Sequence, residues 1–205
     1  HKTALPRVAD FKKWLDQCGQ LWIIDPGSRG GPTRAHRDLI KDAFTSRGLA
    51  VFVWAENDPF IRYSNEVAQD LLGSGVSIED TENYGGKKLK PQDEMPARLG
   101  SVTPGIARHD ITTGVQQLYE GSTISQVIGY DSVAGMTPLI FSMPRDRRGK
   151  ERTGQPTEVI TVAWESPKSR IIIDCGFTRM FPAAFRGTPG TSRFVVNSAC
   201  WLAAA

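Results

Sequence analysis

The sequence predicts an α/β fold, doubly wound, with helices on both faces of a mostly parallel sheet, and three observations carry that prediction. The first half of the chain alternates apolar stripes at helical spacing with short apolar runs of strand length, and a glycine separates each pair. The run at residues 49–54, Leu-Ala-Val-Phe-Val-Trp, is apolar throughout, as a strand buried on both faces of a parallel sheet must be. It then breaks abruptly into Glu56, Asn57 and Asp58. In open α/β sheets ligands lie beyond the carboxyl ends of strands, so this polar elbow marks where a site belongs.

Taken in order, residues 6–17 place Val8, Phe11, Trp14 and Leu15 on one helical stripe, Gly19 ends that helix, and residues 20–24 follow as a strand. The loop from Asp25 through Gly31 leads to Pro32, which suits a first helical turn, and Ala35, Leu39, Ile40, Ala43 and Phe44 form the stripe of a helix over residues 33–46. His36 is placed on the surface of that helix. Gly48 stops it, the strand at 49–54 follows, and a third helix spans 62–72 with Val67, Leu71 and Leu72 inward. Residues 74–108, rich in Gly, Lys, Pro and acids, read as an irregular excursion. Four strand-like runs follow at 123–129, 138–143, 158–164 and 170–174, the last two joined by a hairpin-like connection. A terminal helix covers 191–203. The whole of 1–205 is read as one domain. A doubly wound domain normally opens on a strand near the centre of its sheet, whereas this chain opens on a helix, which leaves three expectations open: a piece of a longer chain that lacks its first strand, a strand supplied by another chain, or a fold that begins late.

Composition narrows the function classes. The chain has 205 residues, 40% of them hydrophobic, enough for one core. Its 25 basic and 22 acidic residues are mixed along the sequence, unlike the basic stripe of a nucleic-acid binder, so a nucleic-acid partner is not expected. One basic cluster, Arg145, Arg147, Arg148, Lys150 and Arg152, reads as a solvated loop. Cys18, Cys175 and Cys200 are odd in number and contain no CxxC pair, which argues against a disulfide framework or a zinc site and predicts a soluble protein of a reducing intracellular compartment. No run approaches the roughly 20 apolar residues of a membrane span.

Three segments in order carry a resemblance: the strand and elbow ending Trp54-Ala55-Glu56-Asn57-Asp58, the segment Arg108-His109-Asp110-Ile111-Thr112-Thr113-Gly114-Val115, and the closing 170–177 with 193–202. Together they resemble the class I glutamine-amidotransferase-like superfamily, nearest to the trehalose-utilisation-type proteins. The resemblance implies a flavodoxin-like sheet with a site above its carboxyl edge. The departure lies at the elbow, where true amidotransferases carry a cysteine nucleophile flanked by glycines and this chain has Ala55-Glu56-Asn57. A carboxylate cannot stand in for a thiolate in amide transfer, so no glutaminase activity is expected. Cys175, at a strand end, reads as a small buried hydrophobe.

The candidate ligand-binding residues are Glu56, Asn57, Asp58, His109, Asp110 and Tyr119. The three elbow residues can accept sugar hydroxyls or act as a base; equally, Asn57 or Asp58 can open a turn into Pro59. His109 is a candidate acid–base group, and because neighbours on an extended segment point apart, its expected partner is Glu56 rather than Asp110, which reads as a helix cap. Tyr119, Glu120 and the Asp25–Ser28 loop are candidates to line the same cleft, while Asp174 and Arg179 at the last strand end either close it or build a turn, the turn being the preferred reading. With no GxGxxG or GxxxxGK[ST] spacing and too few histidines for a three-histidine centre, no cofactor or metal is assigned. Two functions follow as expectations: a non-catalytic binding or assembly module with other protein chains as partners, or a carbohydrate or small polar ligand protein using Glu56, Asp58 and His109. They differ in whether the elbow carboxylates open to a pocket or are consumed in backbone hydrogen bonds.

Overall fold

The computed structural model describes residues 5–27, 30–80, 88–89, 105–119, 124–142 and 158–204. After helix α1 (Val8–Leu15), the first apolar run is strand β1 (Gln20–Ile24), which pairs in parallel with β2 (Ala50–Trp54) in the register Gln20↔Ala50. Helix α2 (Arg34–Arg47) makes the crossover between them. Helix α3 (Arg62–Leu72) follows, on the bounds its apolar stripe predicts.

All five residues of β2 are buried, which is why its sequence shows no alternation. On its other side lies β10 (Arg170–Asp174), also parallel, with Ile171 opposite Val51. Beyond β10 the sheet changes character. β9 (Glu158–Glu165) runs antiparallel to β10 through the predicted hairpin, β8 (Met136–Ser142) antiparallel to β9, and the two-residue β5 (Gly105–Ile106) antiparallel to β8. The order is β1-β2-β10-β9-β8-β5, so the sheet is mixed rather than mostly parallel. The physical reason is connection length: helical crossovers join strands only in the first half, and short antiparallel links build the second.

The excursion predicted over 74–108 is partly ordered into strands. β3 (Ser77–Asp80) pairs antiparallel with β7 (Ser125–Ile128) in a separate small sheet, β4 (Lys88–Leu89) pairs with β6 (Leu118–Tyr119), and β5 closes the main sheet. These pieces are too short for periodicity to declare them. Pro138 lies inside β8 at a register shift, beside residues that β5 does not reach, so its missing N–H leaves no ladder bond unmade. The basic cluster at 145–152 falls outside the described residues.

Helices cover both faces of the parallel part. Phe44 of α2 stacks near Trp164, on the face of Ile171 and Val51. On the opposite face, Phe194 of the terminal helix α5 (Pro189–Ala203) packs edge-on against Phe52 and Trp54. A short helix, α4 (Pro182–Gly187), precedes it and had no periodic signal. His36 is not on the surface: it is 4% exposed, its ring bonds Thr33 and the Pro6 carbonyl, and it meets Phe11 edge-on, tying α1 to α2. A polar residue with two hydrogen-bond partners is compatible with burial, which helical spacing alone does not reveal.

Gly48 closes α2 at φ 75°, with the Leu49 N–H donating to the Ala43 carbonyl, and a Cβ there would collide with the Lys168 carbonyl oxygen. Gly48→Ala should therefore lose more than the ~1 kcal/mol of the left-handed conformation alone. Urea unfolding checks it: the midpoint falls with the slope unchanged.

Candidate functional site

Because β2 and β10 are parallel neighbours, their carboxyl ends emerge together, and the chain sews them to each other. Ala55 N–H donates to the Asp174 carbonyl (2.8 Å), and Phe177 N–H donates back to the Ala55 carbonyl (3.1 Å). Glu56, next along, is 1% exposed. Its carboxylate accepts from Thr178 twice, from the backbone N–H at 2.9 Å and from the hydroxyl at 2.7 Å. Thr178 is the second residue of the 3₁₀ turn Phe177–Met180, and the first N–H groups of such a turn find partners outside it, that of Phe177 at Ala55 and that of Thr178 at Glu56, so Glu56 caps the turn from across the sheet edge. The Ser125 hydroxyl donates to the Glu56 carbonyl, and the Ser125 N–H to the Cys175 carbonyl (3.3 Å), bringing β7 into the same junction.

Two further carboxylates at this edge do the same work. Asp25, 2% exposed, follows β1 and accepts from the N–H groups of Gly27 (2.9 Å) and Ser64 (2.8 Å), the latter in the first turn of α3. Burial raises its pKa above the ordinary carboxylate value, and the hydrogen bonds pull it back. Asp174 is fully buried and accepts from Gly176 N–H (2.9 Å) and the Thr161 hydroxyl (2.8 Å), and it faces the Arg179 guanidinium at 3.3 Å. Arg179 is also fully buried, donating from Nε to the Gly176 carbonyl and lying over the Phe194 ring. Burial raises the Asp174 pKa and the guanidinium opposes that rise. Asp174 and Arg179 thus build the predicted turn as a buried ion pair. Cys175 sits among them with no exposed surface, its thiol pushed well above its ordinary pKa by burial and by the charges of Asp174 and Glu56. It is held as a thiol.

Asn57 donates from Nδ2 to the Asp58 carbonyl (2.8 Å) and its own carbonyl accepts from Phe60 N–H (2.7 Å), so the two form a turn, with Asp58 exposed. His109 caps a second 3₁₀ turn, Asp110–Thr112: its Nδ1 accepts from Ile111 N–H at 3.2 Å, while its own N–H donates to the Thr112 hydroxyl at 2.9 Å. Its ring meets Trp201 edge-on, and Trp201 lies under Arg170, the first residue of β10. Glu56 bonds Thr178, beyond the last residue of β10. The length of that strand, four residue steps or about 13 Å, separates the two ends. The expected Glu56–His109 pairing is not formed. Asp110 is exposed within the turn that His109 caps, which corrects its reading as the cap residue itself, and Tyr119 is half-buried on β6. Glu120 and Ser28 fall outside the described residues. Sequence reasoning misses Thr178 and Ser125 because their partner Glu56 lies 122 and 69 residues away, and it misses Thr161, 13 residues from Asp174 across the hairpin, because an apolar run does not show which hydroxyl meets the strand-end carboxylate. Among the described residues no group of three or more His, Cys, Asp or Glu side chains could hold a metal ion, and no helix is long and apolar enough to cross a membrane.

No protein-family model matches the chain, and no curated protein matches it. Among solved structures it is similar to the mmIFT52 N-terminal domain, at 12% sequence identity and a TM-score of 0.61, over 95% of this chain and 81% of that one. The likeness is one of fold.

Two predictions follow from this geometry. Glu56→Gln removes the charge from both Thr178 contacts and should lower stability by about 1–2 kcal/mol, read as a lower unfolding midpoint. His109 has its pKa lowered, first by burial, then by Arg170, against the opposing charges of Asp110 and Glu165. Its cap needs a neutral ring, so the stability it contributes is fully present above its unfolded value of 6.5 and is lost as pH falls from there through the folded value. Relative to His109→Asn, which caps without titrating, the wild type should lose stability below that pH; parallel unfolding free energies for the two from pH 7.5 to pH 5.5 would remove the effect.

Proposed function

We propose that this chain is a non-catalytic binding or assembly module, a subunit or fragment of a larger assembly. The observation that carries the reading is the use made of Glu56: the elbow carboxylate is buried and spent on capping Thr178 instead of facing a ligand. Where an amidotransferase needs an activated thiolate, this chain has a structural glutamate, and the nearby Cys175 thiol is buried with a raised pKa. The parallel β1–α2–β2–β10 core with its elbow supports the kinship with amidotransferase-like, flavodoxin-type domains as part of this proposal. The similarity in fold to a domain named as the N-terminal one of a longer polypeptide fits a module that works within something larger.

The test sets ligand binding against assembly. Glutamine and trehalose at about 10 mM should leave the thermal midpoint within about 1 °C, since a ligand well above its Kd would stabilise the fold measurably. Cross-linking in the native cell should join the chain stoichiometrically to other protein. A saturable thermal shift with either ligand, abolished in Glu56→Gln while that variant stays folded, would overturn the reading.

A further inference from the structure

The outer strand β1 presents an open hydrogen-bonding edge. Ala50 N–H donates to the Gly19 carbonyl (3.0 Å) and Asp25 N–H to the Trp54 carbonyl (3.1 Å), bracketing the ladder with β2. Bonds alternate along a parallel strand, so with Gln20 opposite Ala50 it is Leu21 and Ile23 that bond β2. Gln20, Trp22 and Ile24 therefore turn their N–H and C=O groups away from the sheet. Among the described residues none of these backbone groups has a partner. Exposed edges in natural sheets are guarded by charge, proline or a bulge. β1 has none: its sequence is Gln-Leu-Trp-Ile-Ile and its register with β2 is unbroken. The opposite edge is different, since β5 is only two residues long and both are buried. Large apolar side chains are also exposed near the open edge, Ile24 at 56% and, on the helix leading into it, Trp14 at 58%.

We propose that β1 is an assembly edge and that its occupant is a second copy of this chain, paired antiparallel about a two-fold axis at Trp22. The outward set is self-complementary. Rotation about Trp22 sets Gln20 opposite Ile24 of the second copy, Trp22 opposite Trp22, and Ile24 opposite Gln20. In an antiparallel ladder two outward-facing residues placed opposite each other exchange two hydrogen bonds, so every open group on both copies is satisfied at once. A shift by one residue sets outward groups against inward ones, and a shift by two leaves groups unpaired, so the register is fixed. No charged side chain lies on the strand, so the two-fold brings no like charges together. The contact is isologous and closes as a dimer with one continuous sheet. It extends the assembly reading and is not required by it, since a different partner on another surface would leave that reading intact.

Sedimentation velocity on the 205-residue chain over about 1–200 µM, with amide hydrogen exchange at both ends of that range, tests the pairing. The expected result is a species of twice the 22.5 kDa monomer mass at the upper concentration, with the Gln20, Trp22 and Ile24 amides protected there and exchanging freely on dilution. Ile24→Pro removes one outward N–H without touching the bonds to β2, and should weaken the dimer about tenfold or more. Gln20→Pro removes the outward N–H at the other end of the ladder, together with the Gln20 side-chain bonds to the Ala199 carbonyl and Trp22, so that a folding defect in one variant leaves the other to decide. A monomer throughout the range, or amides on β1 that exchange equally at both concentrations, would overturn the proposal. So would a dimer indifferent to both substitutions. If both variants fail to fold, the wild-type exchange pattern decides alone.

Discussion

The exchange of hydrogen bonds between Ala55, Asp174 and Phe177 is the constraint on which the rest of the architecture rests. Strand β2 is buried along its length and flanked by parallel strands on both sides, so its carboxyl end cannot be solvated and must pass its chain into a loop inside the protein. Every backbone group at that exit needs a partner. The chain meets the need by making the exits of β2 and β10 partners for one another, and the first residues beyond each strand inherit the consequence. Glu56 arrives next to the start of the turn at Phe177 and accepts the Thr178 N–H. Asp174 arrives beside Arg179. The polar cluster that interrupts the apolar run is a response to a buried junction.

This explains why three strand ends carry a carboxylate. Asp25 after β1, Glu56 after β2 and Asp174 at the end of β10 each accept from backbone N–H groups of the segment that leaves the sheet. A carboxylate is the strongest acceptor available for such groups, and burial strengthens the bond while raising the penalty of leaving any of them unmade. The Asp174–Arg179 pair carries the largest desolvation penalty, because both residues have no exposed surface. Breaking such a pair leaves a buried charge, whereas forming it adds little, so its effect is to admit one arrangement of the turn rather than to add stability.

The same chemistry sets how much of the protein can be read from its sequence. Helices and strands whose burial is one- or two-faced declare themselves: α3 follows its stripe, and β1, β2, β9 and β10 fall within a residue or so of their apolar runs. Short β3, β4, β5 and β6 do not, because two to four residues carry no period and their pairing is decided by partners far along the chain. The short link between β9 and β10 declares their antiparallel sense, but the antiparallel placing of β8 and β5, which makes the sheet mixed rather than mostly parallel, is not declared, for a related reason. An apolar run marks burial, not direction, and only the length of the links between strands distinguishes parallel from antiparallel neighbours. At the site the residue types were legible and their use was not: Glu56 and His109 stand out in sequence, yet each is a cap, and they lie at opposite ends of β10. His36 shows the converse, a polar residue on a helix whose two hydrogen bonds permit its burial.

A sheet built this way has unlike ends. On the β5 side the antiparallel strands shorten until the last is two buried residues, leaving little ladder to offer. On the β1 side the parallel part ends, among the described residues, with a full-length strand, joined to its neighbour β2 by the helical crossover α2. Among the described residues β1 is thus a neutral edge, largely half-buried on its faces and unpaired along its rim. A carboxyl edge sealed by its own carboxylates and a side edge left unsealed are complementary facts about one molecule. At the carboxyl edge Asp25, Glu56 and Asp174 accept from backbone N–H groups of the interior, while among the described residues the open backbone groups of β1 lie on the rim of the sheet, where an added strand is a matching shape.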